Sequence, residues 1–274
     1  MSIKEQRIAR SRFLLENPYA YLEPEGGFDA EIESVREKWA AQTRSARGWS
    51  KKEIANAVRD VHRMLWDEQN ALEPAESLKP ARFFDPQKTL EMLGYEIVVV
   101  PKISVPEAPR EKIAGIIGGK ERRVVLSDDL SEETKRFTAA HELAHAILHP
   151  GQGLHRDRPV TLDGTKRRSQ TESEADYFAA LFLMPRKLVL QHFVARFGVE
   201  KFVLTAESAH ALASRGPNGS AATDLRELSK LLAATSVFDG NGFKPLCKEF
   251  GVSVVAMAIT LEELQIVGPW SLSI

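Results

Sequence analysis

Apolar positions recur at helical spacing along much of the chain and crowd together at strand-like density in one short region. Within FDAEIESVREKWAAQ, Ile32, Val35 and Trp39 share a helical face. Ser50 is followed three positions later by Glu53, a capping-box pattern, and then by the stripe Ile54, Val58, Val61 and Leu65. This predicts an amphipathic helix packed on the rest of the protein. Residues 74–83 (PAESLKPARF) hold two prolines and no period, so they read as a connection. Asp85, Pro86 and Gly94 frame a short helix as cap, first-turn residue and stop. Tyr95 to Val100 (YEIVVV) is dense in β-branched residues and reads as a strand, and residues 102–112 read as a loop. Ile113–Ile117 and Arg123–Leu126 form a hairpin through Gly118-Gly119-Lys120. Three strands are therefore expected, over 95–100, 113–118 and 122–127.

Downstream the period is helical again. Ser131 caps a helix over 131–149, and Pro150-Gly151 stops it. A basic stretch, 152–170, reads as a loop containing Arg156, Arg158, Lys166, Arg167 and Arg168. A helix follows from Thr171 to Met184, and Pro185 begins another that ends near Gly198. Ser214–Ala222 (SRGPNGSAA) reads as a flexible linker. Gly251 and Ser253 mark a helix end and a new cap before Val254–Leu264. The expected organisation is a helical region over 1–75, a core over 76–195 and a helical region over 196–274. The expected fold class is α+β, with a small three-stranded sheet beside one central helix and further helices around both.

Composition narrows the function classes. The chain has 274 residues, of which 43% are hydrophobic and 27% charged, an ordinary globular balance. Lys and Arg number 37 and Asp and Glu 38, for a net charge of −1. No global basic field exists to hold nucleic acid or an anionic membrane. The single cysteine, Cys247, excludes an intrachain disulfide and fits a reducing cytoplasm. The N-terminal stretch is charged at Lys4, Glu5, Arg7, Arg10 and Arg12 and lacks an apolar run of signal-peptide length. Nowhere do 18 apolar residues run together. The expectation is a cytoplasmic protein without a membrane span.

The chemistry concentrates in RFTAAHELAHAILHP. It holds His141-Glu142-Leu143-Ala144-His145, an H-E-x-x-H motif. Positions i and i+4 of a helix lie one turn apart on the same face, so two imidazoles there can converge on one zinc ion. Glu142, beside the first ligand, can reach a water on the metal. The small residues Ala139, Ala140, Ala144 and Ala146 let neighbouring elements approach closely. Zinc that keeps one position open for water needs a third protein ligand. The helix QTESEADYFAALFLMP offers Glu172, Glu174 and Asp176. Glu174 lies about 200° around the helix from Glu172, so the two cannot both be ligands. Glu172 borders the apolar face of Ala175, Phe178, Ala179 and Phe182 and is preferred. Asp176, one turn on, can accept the spare N–H of a ligating imidazole. His149 shares the face of His145 and reads as a wall residue, because a catalytic metal keeps a position open. His155 reads as a surface histidine, with a role at the oxyanion as the alternative.

These residues carry a resemblance. RFTAAHELAHAILH followed by ExEADxFAAxxLMP resembles the ImmA/IrrE family of metallopeptidases, from about Gly94 to Pro185. FKPLCKEFGVSVVAMAITLEEL is more weakly similar to a helical segment that follows the core in that family. The resemblance covers little of 1–75 or 195–240. It implies zinc ligands at His141, His145 and Glu172 and a catalytic glutamate at Glu142. The family often has Asn where this chain has Asp176. It further implies peptidase activity on a cytoplasmic regulator such as a helix-turn-helix repressor, cut in response to stress or to mobile elements.

Two other readings compete with a zinc endopeptidase. One is a metal-bearing regulatory or protein-binding module without relevant peptidase activity. The other is DNA binding through the C-terminal helix pair. The latter is disfavoured because the second helix has no Lys or Arg from Val254 to Gln265.

Overall fold

The computed structural model describes residues 48–72, 80–101, 103, 115–118, 122–150, 155–157, 169–213, 222 and 224–268. The expected helix around Ile32–Trp39, nearly all of the loop 102–112, most of 152–170 and most of the 214–222 linker lie outside the described residues. The chain divides into two compact units. One takes in the described parts of 24–75 and 82–183, the other the described parts of 76–81 and 184–274.

In the first unit the local signals act as expected. Helix α1 spans Lys51–Leu72. Its capping box is reciprocal: the Ser50 N–H donates to Glu53 Oε2 at 2.8 Å, and the Glu53 N–H donates to Ser50 Oγ at 3.3 Å. Ile54, Val58, Val61 and Leu65 are all buried, as the stripe predicts. After the short helix α2 (Pro80–Phe83), Asp85 caps α3 (Pro86–Met92) by accepting from the Gln87 and Lys88 N–H groups. Gly94, at φ 77°, turns the chain into strand β1, Glu96–Val100.

Strands β2 (Gly115–Gly118) and β3 (Arg123–Ser127) pair antiparallel, and β1 lies parallel to β3 with Glu96 opposite Arg123. The three-stranded sheet expected from the sequence is corrected to four strands among the described residues, in the order β1-β3-β2-β4. Strand β4, His155–Asp157, adds antiparallel to β2, with Arg156 opposite Ile116. It falls within the stretch read as a loop. Its three residues are charged or polar and show no alternation. Its pairing is made by the main chain to a distant strand, and no local window records that.

Helix α4 spans Glu132–Leu148 behind a Ser131 cap that accepts from the Thr134 N–H. It is buried almost all round from Thr138 to His145, and again at Ile147 and Leu148. Ala139, Ala140 and Ala144 are fully enclosed, so neighbours approach its backbone closely. At its start the Arg136 guanidinium donates to the Phe84 carbonyl, tying α4 to the segment before α3. Helix α5, Gln170–Leu183, packs against α4 with Ala175, Phe178, Ala179, Phe182 and Leu183 inside. His62 of α1 anchors the far end of α5. Its ring lies 4.4 Å from Phe84 and 5.2 Å from Phe182, and its Nε2 is 3.0 Å from the Phe182 carbonyl. A carbonyl only accepts, so Nε2 carries the proton. Burial lowers the His62 pKa to about 3, which keeps the ring neutral.

The second unit is helical: α6 (Arg186–Phe197), α7 (Ala206–Ala213), α8 (Leu225–Ala234), α9 (Leu246–Phe250) and α10 (Val254–Glu263). A two-stranded ribbon, β5 (Val237–Phe238) with β6 (Asn241–Gly242), joins them. Phe197 sits amid Phe202, Phe238 and Phe243. Arg226 grips Glu262 with two bonds of 2.6 and 2.8 Å, joining α8 to α10. Ser253 caps α10 as expected. No single helix among the described residues is long and apolar enough to cross a membrane.

Candidate metal centre

Helix α4 presents His141 and His145 one turn apart, both enclosed, with ring centroids 4.8 Å apart. Their Nε2 atoms lie 3.0 Å from each other. Helix α5 brings Glu172 to the same point from its first turn: Oε2 is 3.1 Å from His141 Nε2, and Oε1 is 3.5 Å from His145 Nε2. The three ligand atoms lie within 4.8 Å of one another. Metal–ligand bonds of about 2.0–2.1 Å at tetrahedral angles put neighbouring ligand atoms about 3.3 Å apart. The 3.0 Å between the two Nε2 atoms and the 3.1 Å from His141 Nε2 to Glu172 Oε2 are close to that edge length, and the other Glu172 oxygen lies 3.5 Å from His145 Nε2. Two imidazole nitrogens and one carboxylate oxygen form a donor set that suits a borderline divalent cation. The residues present therefore fit a metal ion.

Behind the first imidazole, Asp176 Oδ1 lies 3.0 Å from His141 Nδ1. The carboxylate accepts, so Nδ1 holds the proton and Nε2 turns its lone pair toward His145 and Glu172. The Glu172 and Asp176 side chains are 25% and 27% exposed while both imidazoles are closed off, so solvent reaches the cluster along α5. Glu142 follows His141 directly and is fully buried.

The structure thus brings together His141, His145 and Glu172, with Asp176 against His141. His149, read as a wall residue, is buried at the α4 C-cap with its ring 5.6 Å from His145. Sequence reasoning missed the surroundings of Glu174. That residue is buried; it takes the Trp49 N–H at 2.9 Å and the Gln170 side-chain amide at 3.0 Å, and its Oε2 lies 3.4 Å from His149 Nε2. The one sequence signal was its place immediately before buried Ala175. His155 lies in β4, not in a loop.

Residues 104–206 match the family model for the IrrE N-terminal-like domain of the M78 peptidases. The chain carries an IrrE N-terminal-like domain. Both metal-centre helices fall inside the matched stretch. The match points to a metallopeptidase-like core over residues 104–206. Gly48, Trp49 and α1 lie outside it. No curated protein matches the chain.

Proposed function

We propose that this protein is a zinc-dependent endopeptidase that hydrolyses peptide bonds of a cytoplasmic protein, with a helix-turn-helix repressor or similar regulator as its target. The observation that carries the reading is the convergence of His141, His145 and Glu172 from two helices, with Asp176 fixing the tautomer of His141. Zinc bound there supplies a Lewis acid and lowers the pKa of its water towards about 7. Glu142 accepts a proton from the attacking water and returns it to the departing amine, the work of a general base and then a general acid. His141, His145 and Glu172 hold the metal, and Asp176 keeps His141 oriented. The carboxylate side of the cluster, open to solvent, is where water and an extended peptide enter.

The test is Glu142→Gln, with zinc content measured alongside cleavage of a denatured protein substrate. Zinc is retained, because Glu142 is not a ligand, and cleavage falls by about 10²–10⁴-fold. Undiminished cleavage with full zinc refutes the general-base role. A metal-bearing regulatory module is the second reading. It draws on the helical territory beyond residue 206, outside the matched domain. A cellular phenotype that survives Glu142→Gln favours it.

A further inference from the structure

We propose that Gly48 and Trp49 form a strap that positions the third metal ligand, by pinning the first turn of α5 to the end of α4. The proposal rests on the metal-centre reading above. Two hydrogen bonds from Trp49 build the strap, and two further contacts tie Glu174 to its neighbours. The Trp49 indole N–H donates to the Leu148 carbonyl at 3.0 Å, an α4 end carbonyl that has no intrahelical partner. The Trp49 backbone N–H donates to Glu174 Oε1 at 2.9 Å, and the Gln170 side-chain amide donates to the same oxygen at 3.0 Å. The other oxygen of Glu174 lies 3.4 Å from Nε2 of His149, which caps α4. One buried carboxylate therefore gathers groups from α4, from α5 and from a segment more than a hundred residues away.

Gly48 makes this approach sterically feasible. It sits at φ +76°, and a Cβ there would lie 1.8 Å from Gln170 Nε2 and 2.4 Å from Glu174 Oε1. A side chain at 48 would strain the backbone and force the Gln170 and Glu174 side-chain ends out of their present positions. Beyond the strap the chain enters α1, and the Lys51 ammonium lies 5.1 Å from the centre of the Tyr177 ring on α5, a second hold on that helix.

The physical consequence concerns Glu172. It belongs to the first turn of α5, where helices fray because their leading N–H groups lack intrahelical acceptors. Its own local anchor is modest: the Glu172 N–H donates to Ser169 Oγ at 3.3 Å. Gln170 and Glu174 flank it two residues away on either side; the strap donates to Glu174, and Glu174 in turn accepts from Gln170. A ligand held in place before binding spends less freedom when the metal arrives, so affinity rises. Gly48 and Trp49 act through Glu174 and Gln170 and touch no ligand atom, which makes them positioning residues.

The experiment measures zinc affinity of the full chain by chelator competition, with the cobalt(II) absorption spectrum as a second readout of coordination. Gly48→Ala and Trp49→Phe are compared with the wild type and with Trp66→Phe, a change in α1 away from the strap, where Trp66 packs edge-on to Phe83. Both strap variants are expected to bind zinc about tenfold more weakly, with a weakened cobalt band, while metal-free circular dichroism stays native. Trp66→Phe keeps wild-type affinity. Strap variants that bind like the wild type, or a Trp66→Phe loss of equal size, overturn the proposal, the latter by tracing the effect to general stability. If Gly48→Ala does not fold, Trp49→Phe decides, since it removes the indole donor and keeps an aromatic ring and the backbone N–H that reaches Glu174. A wild-type chain that binds neither metal refutes the metal centre itself and the strap with it. Wild-type binding matched by the strap variants refutes the strap alone.

Discussion

On the proposed function, zinc should stabilise this protein by an amount set by the three proposed ligands, and Glu172→Ala should remove nearly all of that gain. His141, His145 and Glu172 come from two separate helices, so the site exists only in the folded chain. A ligand that binds the folded state alone, at free concentration 100 times its dissociation constant, stabilises by about 2.7 kcal/mol. For a protein of this size that corresponds to a rise in melting temperature of about 5–11 °C. Losing one of three ligands with a hundredfold drop in affinity leaves about 0.4 kcal/mol at the same zinc concentration, a shift of about 1 °C. The assay is thermal unfolding of wild type, Glu172→Ala and His141→Ala, each with chelator and with zinc. The quantity read is the metal-dependent shift within each variant, so any effect of the substitution on the metal-free fold cancels. Equal shifts in all three proteins would place the binding elsewhere and refute the assigned ligands.

The same geometry sets other outcomes. Asp176→Ala should weaken zinc binding by about 10–100-fold because His141 loses the acceptor that holds its tautomer; Asp176→Asn, which keeps an oxygen there, should lose less on titration with zinc. Phe178→Ala should cost about 3–5 kcal/mol in denaturant unfolding, since Phe178 is fully enclosed and stacks with Phe182 at 6.2 Å. Acid should destabilise the fold through His62 and His192, whose pKa values burial lowers from 6.5 to about 3. Their folded values lie below their unfolded ones, so the neutral rings stabilise the fold fully above pH 6.5, and that contribution is lost as pH falls towards 3, at about 1.4 kcal/mol per pH unit for each. His62→Gln retains a donor for the Phe182 carbonyl but cannot take up a proton. Its melting temperature should fall less steeply between about pH 6.5 and pH 5 than that of the wild type. An unchanged slope would count against this role for His62.

Much of the site was legible because its signals are local. The spacing of His141 and His145 needs only a helix to bring their rings together, and Ser131 and Pro150 frame that helix in the sequence. Asp85, Gly94, Ser50 with Glu53, and Ser253 each announce a helix boundary through hydrogen bonds that reach no further than a turn. Glu172 could be preferred to Glu174 from helical angle alone, since the apolar stripe of α5 marks which side is covered. Glu174 shows where such reasoning stops. Helical angle sets it about 200° around from Glu172 and says nothing of what it meets; it is buried, and Trp49 arrives from another part of the chain to donate to it. Strand β4 was hidden for a related reason: its pairing with β2 is made by backbone groups that every residue possesses, so its side chains carry no trace of it.

By itself, then, the order of residues determined the features that neighbours within a turn or a strand dictate: most of the helices, their caps and the histidine pair. The tertiary structure alone decided those that depend on segments far apart in the chain. It placed β1 parallel to β3, added a fourth strand, carried Glu172 to the two imidazoles and laid Trp49 over the junction of their helices. The division is physical. Local hydrogen bonds and periodic burial are properties of a short window, whereas the meeting of distant groups is settled only when the whole core packs.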